Sequence, residues 1–206
     1  MTELVVATAN KGKFAEIQLL LQGTVDRLFS LEDFPGLPAV IEDGLTFAEN
    51  AVKKAASAAS YTGKPVIADD SGLVVDALGG RPGVRSARFA GEDADDDENN
   101  AMLLRELASV PPHLRTAAFH CVIALCFPQG ECLTFAGELG GVILDSPRGA
   151  GGFGYDPLFL VPEFGQTLSE LPITTKNAIS HRGKALLKLQ QYLQESGRSV
   201  PAARFS

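Results

Sequence analysis

Apolar residues along this chain fall into two patterns: short unbroken runs closed by polar or turn residues, and stretches where every third or fourth position is apolar. Leu4-Val5-Val6-Ala7-Thr8 is a run of the first kind and predicts a buried strand. The polar turn Ala9-Asn10-Lys11-Gly12-Lys13 follows, and then Phe14, Ile17, Leu20 and Leu21 at helical spacing predict a helix. A Pro/Gly-rich connection (Phe34 to Pro38) leads to Thr46-Phe47-Ala48-Glu49, which has the Thr-x-x-Glu form of a capping box. The helix it opens is rich in alanine (Ala51, Ala55, Ala56, Ala58, Ala59), which suits close packing. Within Pro65 to Val74, a short apolar run rich in β-branched residues and opened by the proline predicts a buried strand that ends abruptly at Asp69-Asp70-Ser71-Gly72. Gly79 to Gly83 is a turn cluster, and the acidic run Glu92 to Glu98 opens a helix with Met102, Leu103 and Leu107 on one stripe. Arg115 to Phe127 and Glu131 to Leu144 predict a long hairpin around Pro128-Gln129-Gly130, the spine of an extended sheet. A further short strand begins at Phe159 and Leu160, and a last helix buries Leu186, Leu189 and Leu193. There is no internal repeat and no linker separating independent domains, so residues 1–206 are expected to form one unit, with a frayed tail from Gly197.

Several of the polar segments between these elements carry chemistry. Ligands in α/β sheets sit at strand ends, where Asp69 and Asp70 are expected. Neighbouring side chains on a strand face opposite ways, so the two acids share one role only if the backbone turns, as Gly72 permits. They would then hold a divalent metal and activate water; the alternative is a turn whose Asp and Ser side chains bond local backbone. Lys11 and Lys13 in the first turn of a helix oppose its dipole, a conflict that a bound phosphate would relieve, whereas an exposed helix start with an Asn cap is the competing account. The spacing does not fit a P-loop. Glu49 is explained as the box partner, but Glu42 and Lys54 have no such explanation and stay candidates. In Arg148 to Pro157, four glycines surround Phe153, which lets backbone approach a ligand closely while an aromatic face is presented. Lys176, His181 and Arg182 gather cationic or donor groups ahead of the last helix.

Composition narrows the class. The formal net charge of −7 is a poor match for a nucleic-acid-coating protein but leaves room for one cationic pocket holding a small anion. The longest apolar stretch, Ala117 to Phe127, is interrupted by His120 and falls short of the ~20 residues a membrane span needs. Glu3 stands where a secretory signal would carry basic charge, so no export is expected. Cys121, Cys126 and Cys132 lack the close pairs of a structural zinc site and read as reduced core thiols of a cytoplasmic protein.

Taken together, the segments resemble the inosine triphosphate pyrophosphatase family, the pyrophosphatases of non-standard purine nucleotides. The resemblance rests on Thr8-x-Asn10-x-x-Lys13, Gly44-Leu45-Thr46-Phe47-x-Glu49-Asn50-Ala51, Ala68-Asp69-Asp70-Ser71-Gly72-Leu73, Ser86-Ala87-Arg88-Phe89, Gly151-Gly152-Phe153-Gly154-Tyr155-Asp156-Pro157 and Ser180-His181-Arg182-Gly183. These six segments run in the family's order over nearly the whole chain. The resemblance implies an α/β fold with a long mixed central sheet flanked by helices, and two lobes around a deep nucleotide-binding cleft. It implies a homodimer, a requirement for Mg²⁺, and hydrolysis of ITP, dITP or XTP to the monophosphate and pyrophosphate. By position, Thr8, Ala9, Asn10, Lys11, Gly12 and Lys13 would hold the triphosphate, with Lys54 adding charge. Glu42 and Asp70 would bind the metal, and Asp70 would accept the proton with Asp69 in support. Ser71, Phe153, Gly154, Tyr155, Asp156, Lys176, His181 and Arg182 would contact the nucleotide, Phe153 stacking on the base.

The residues agree with that chemistry. Attack of water at the α-phosphorus needs charge stabilised on both sides and a carboxylate to orient or deprotonate the water. No Ser or Cys nucleophile with a partnered His is evident, so direct water attack is preferred. The competing readings are a Maf-type pyrophosphatase acting on modified pyrimidine nucleotides and a non-catalytic nucleotide sensor using the same anion pocket.

Overall fold

In the computed structural model, which describes residues 3–195, the first apolar run forms β1 (Glu3–Val6) and the first helical pattern forms α1 (Lys11–Leu21). The chain continues through β2 (Arg27–Phe29), α2 (Phe47–Thr62), β3 (Val66–Val75), α3 (Asp96–Glu106) and the hairpin strands β4 (Thr116–Cys126) and β5 (Cys132–Ile143). Two short strands, β6 (Phe159–Val161) and β7 (Gln166–Thr167), and the helices α4 (Ile173–Ile179) and α5 (His181–Glu195) complete it. The strands form one seven-stranded sheet in the order β2-β1-β3-β4-β5-β6-β7. β1 pairs in parallel with β2 and β3, and β6 pairs antiparallel with β5 and β7, so the sheet is mixed. The frayed tail expected from Gly197 lies outside the described residues. Among those residues no helix is long and apolar enough to cross a membrane.

The chain divides into two compact units. Among the described residues, the first comprises 3–70, Val122–Ala136 and 182–195. Its core joins Val5, Val66 and Ala68 of the sheet to Ala51, Ala55, Ala58 and Ala59 of α2. Four alanines at helical spacing let the α2 backbone lie close to the strands, which is what the alanine-rich stretch predicts. Gly63, left-handed at φ +64°, ends α2, its N–H bonding to Ala59 O. The second unit comprises Ser71–Cys121 and Gly137–His181. Its core is built from larger side chains, among them Leu103 of α3, Leu107 directly after that helix, Phe119 of β4 and Phe159 of β6.

Four details differ from the sequence reading. β3 does not end at the acids: the strand runs on through Asp69, Asp70, Ser71 and Gly72 to Val75, so no turn brings the two carboxylates to one side. Cys126 and Cys132 are not reduced thiols but form a disulfide across the mouth of the hairpin, and Cys121 is buried outside it. The hairpin turn explains this, because Phe127 N bonds to Glu131 O at 2.8 Å and so brings the flanking residues together. Thr46 caps α2 through Glu49 N at 3.1 Å, but the Glu49 carboxylate accepts from Leu45 N at 2.7 Å, one residue before the position a capping box requires. Finally, Lys176 and the Ser180 to Gly183 segment do not merely precede a helix. Lys176 lies in α4, and α5 begins at His181 directly after Ser180, whose extended backbone (ψ 156°) separates the two helices.

Candidate active site

In the first unit, charged residues gather around the Asp69-Asp70 step of β3. Asp69 is 2% exposed and Asp70 6%. Alternation along an uninterrupted strand sends them to opposite faces, and their partners differ accordingly. Asp69 Oδ2 accepts from Lys13 Nζ at 3.0 Å and from Arg182 Nε and Nη2, each at 3.3 Å. Arg182 is itself buried, and its Nη1 pairs with the carboxylate of Glu16 on α1. Burial opposes ionisation of Asp69, yet the charges of Lys13, Arg182 and Lys54 outweigh it and hold the carboxyl well below the usual aspartate range.

Asp70 has the opposite character. Its Oδ2 accepts from Asn50 Nδ2 at 3.0 Å. Burial pushes its pKa up, and the negative charge of Glu42 adds to that rise, while Lys54, Asn50 and Lys13 only partly oppose it. Lys54 bridges the group, donating to Glu42 Oε2 at 3.1 Å and to the backbone oxygen of Asp69 at 2.8 Å. Asn50 is fully buried and also accepts from Gly44 N at 2.8 Å. A Cβ at Gly44 would stand 2.6 Å from Asn50 Oδ1, so only glycine permits that approach. Through Lys54, Glu42 is tied to the Asp69-Asp70 step, so two oxygen-donor carboxylates, Glu42 and Asp70, belong to this group. No cluster of three or more His, Cys, Asp or Glu fit for a metal exists among the described residues. Two carboxylates suffice for Mg²⁺, which keeps several waters and takes its other ligands from substrate phosphates.

The turn from Thr8 to Lys13 is built as an N-cap. Asn10 Oδ1 accepts from Lys13 N at 2.9 Å, and Asn10 N bonds to Thr8 Oγ1 at 3.3 Å. Ala9 and Lys11 are exposed and Gly12 half-buried at the start of α1. The Asn-capped helix start is therefore present, and the lysine charge at Lys13 is drawn to Asp69.

In the second unit a separate group forms on the glycine-rich loop. Lys176 and Asp156 make a buried ion pair at 2.8 Å, both side chains 5% exposed. Lys176 Nζ also lies 4.8 Å from the centroid of the Phe153 ring. Phe153 N donates to Asp156 Oδ2 at 3.0 Å. Gly152 is left-handed at φ +77°, and a Cβ there would collide with the Asp156 carboxylate. Tyr155 donates its hydroxyl to Ser86 O at 2.8 Å; burial, with the charge of Asp96, raises its pKa far above the usual phenol value. His181 is 5% exposed and stacks on Phe119, centroids 4.7 Å apart and rings 10° from parallel. Ser71 is half-buried on β3.

Thus Lys13, Lys54, Glu42, Asp69, Asp70 and Arg182 come together in one unit, and Phe153, Gly154, Tyr155, Asp156 and Lys176 in the other. Sequence reasoning missed Glu16 and Asn50 as members of the first group, and Asp96 and Asn100 beside the second. Asn50 lies inside the Gly44 to Ala51 motif, but nothing local marks Glu16, whose partner is 166 positions away.

Comparison with known proteins agrees with the motifs. The chain is 64% identical over 197 residues to a dITP/XTP pyrophosphatase of Geobacter sulfurreducens, covering 96% of this chain and 99% of that protein. It is 54% identical over 195 residues to a dITP/XTP pyrophosphatase of Geobacillus kaustophilus, covering 95% of this chain and 96% of that protein. Among solved structures, a HAM1 protein from Coxiella burnetii matches with a TM-score of 0.87 at 44% identity, covering 95% of this chain and all of that one. Residues 4–192 match the profile of the Ham1 family, the group that the motifs resemble, and with a fold and relatives in agreement over that span the chain belongs to the Ham1 family.

Proposed function

We propose that this protein is a Mg²⁺-dependent pyrophosphohydrolase that converts non-standard purine nucleoside triphosphates (ITP, dITP and XTP) to the monophosphate and pyrophosphate, clearing them from the nucleotide pool. The single observation that carries this reading is the division of labour between two adjacent acids. Asp69 is committed to Lys13 and Arg182, whereas Asp70 faces Asn50 and lies within the field of Glu42 and Lys54. Adjacent acids in opposite surroundings are what a hydrolytic site needs, one carboxylate staying ionised while the other takes a proton. The names of the relatives support the substrate class.

Asp70 accepts a proton from water attacking the α-phosphorus, and Asn50 orients its carboxylate for that role. Asp69 pairs with Lys13 at the start of α1 and so fixes a positive charge next to the Thr8 to Gly12 turn, whose backbone receives the phosphates. Lys54 adds positive charge near the same acids. Glu42 and Asp70 would hold Mg²⁺, whose bound charge offsets that developing on the phosphate oxygens. Phe153 offers its ring to the base, and Asp156, Lys176 and His181 supply the polar contacts that distinguish it. A donor facing a 6-oxo group is left unpaired by adenine's amino group, a loss that can discriminate by ~10⁴. The protein acts as a homodimer in the cytoplasm, with no nucleic-acid or membrane partner.

A panel of nucleoside triphosphates with pyrophosphate detection tests the reading. Pyrophosphate should be released from ITP, dITP or XTP far faster than from ATP, GTP or modified pyrimidine triphosphates, and chelation of the metal should stop it. Asp70→Asn should abolish turnover with nucleotide binding still measurable. Orthophosphate as the product, or equal rates on ATP, would overturn the assignment.

A further inference from the structure

The loop that carries Phe153 is held by an element with no part in the chemistry above. α3 grips Gly154 from both sides of the residue. Asp96 Oδ2 accepts from Gly154 N at 2.7 Å, and Asn100 Nδ2 donates to Gly154 O at 3.0 Å. The two side chains are four positions apart, one turn along one face of the helix, so a single rigid element makes both bonds. They reach across 58 and 54 residues of sequence.

The helix is itself well fixed. Asp95 and Glu98 form a reciprocal capping box at its start. Asn99 accepts from Ala90 N at 2.9 Å and donates to Ala87 O at 3.2 Å, and Leu103 is fully buried. Just past its end, Arg115 donates to Leu107 O at 3.1 Å and to Val110 O at 2.9 Å. In the loop, Phe153 lies between Gly152 and Gly154, both left-handed at φ +77° and +61°, with Lys176 Nζ 4.8 Å from its ring. The Asp156 bond to Phe153 N is local to the loop, and Ser169 holds Gly151 on the far side of Gly152. The α3 pair bonds both backbone groups of the residue directly after the ring.

We propose that Asp96 and Asn100 are positioning residues that hold Phe153 in place before the nucleotide arrives, so that base binding does not have to order the loop. The proposal rests on the reading of Phe153 as the platform for the base. An ordered loop spends less of its contact energy on immobilisation, so loss of the clamp weakens binding and leaves the phosphate chemistry, carried by other residues, intact. An acid in a first helical turn is also favoured by the dipole, but that role needs charge, whereas the clamp needs only an acceptor.

Asp96→Ala and Asn100→Ala are compared with wild type and with Asp96→Asn, which keeps an acceptor oxygen and loses the charge. Both alanine variants should raise KM for XTP or dITP ~10-fold with kcat within ~2-fold, and Asp96→Asn should stay near wild type. In ¹⁵N-labelled protein without nucleotide, the Gly154 amide should exchange with solvent markedly faster in Asp96→Ala. Unchanged KM, a fall in kcat at constant KM, or an Asp96→Asn as impaired as Asp96→Ala would overturn the proposal. Should Asp96→Ala fail to fold, Asn100→Ala, which removes one donor, carries the test. If wild type releases no pyrophosphate from any purine triphosphate, the functional reading fails. The clamp is then judged by amide exchange alone, with faster exchange of Gly154 in the variants supporting it and unchanged exchange overturning it.

Discussion

Glu170 sits at the surface, yet three donors depend on it. Its carboxylate accepts from Arg148 Nη2 at 2.7 Å, Arg148 Nε at 3.2 Å and Thr167 N at 2.8 Å. The Arg148 bond and the Thr167 amide lower its pKa from an ordinary 4.5 to about 2. Because the folded carboxyl titrates below the unfolded one, its contribution is complete above pH 4.5 and fades as the pH falls toward 2. Glu170→Gln should therefore lower the thermal midpoint by about 1–3 °C at pH 7, as exposed pairs do, with the deficit closing near pH 2. A deficit that is the same at both pH values would remove the ion pair as its cause. Single residues of this kind are poorly legible in sequence. Glu16 occupies an ordinary helical position, and only the guanidinium of Arg182, far along the chain, makes it a buried anion. Asp69 and Asp70, by contrast, were conspicuous because two acids inside an apolar run cannot be buried without partners.

Elements were read more securely than their ends. The hairpin of β4 and β5, the alanine-rich α2 and the acid-started α3 follow from local residue types and their spacing. The end of β3 did not, because Asp, Ser and Gly are turn residues on average, whereas here the strand, which lies between β1 and β4 in the sheet, runs through all of them to Val75. β2 and β7, at three and two residues, are too short to show a period. Arg115 shows what an element can ask of one side chain. It is 7% exposed and donates to the oxygens of Leu107, Val110 and Leu144, the first two at the C-terminal side of α3, where the dipole favours a cation. Arg115→Met should cost about 2–4 kcal/mol in denaturant unfolding, since it leaves buried carbonyls without a donor. Arg115→Lys should lose part of that, having no planar fork to reach several oxygens at once. A cost under about 0.5 kcal/mol for Arg115→Met would mean that water replaces the guanidinium.

At the scale of the whole molecule, the net charge of −7 speaks against a polyanion partner in general, while the cations that matter are concentrated locally: Lys13, Lys54 and Arg182 lie around one pair of acids. The assembly expected from the family resemblance is a homodimer. Sedimentation equilibrium should accordingly find a species of twice the 21.8 kDa chain mass, and a monomer at micromolar concentration would remove that expectation. What the sequence by itself determined is everything that depends on neighbours in the chain: the apolar periods, the caps, the glycine-rich turns, and the ordered set of motifs that points to the family. What only the tertiary structure decided is pairing: Glu16 with Arg182, Asn50 with Asp70, Asp96 and Asn100 with Gly154, and Cys126 with Cys132. The physical reason is that periodicity and propensity are short-range. A buried charge or a free backbone group, by contrast, is satisfied by whichever donor the fold brings within 3 Å or so, at any separation along the chain.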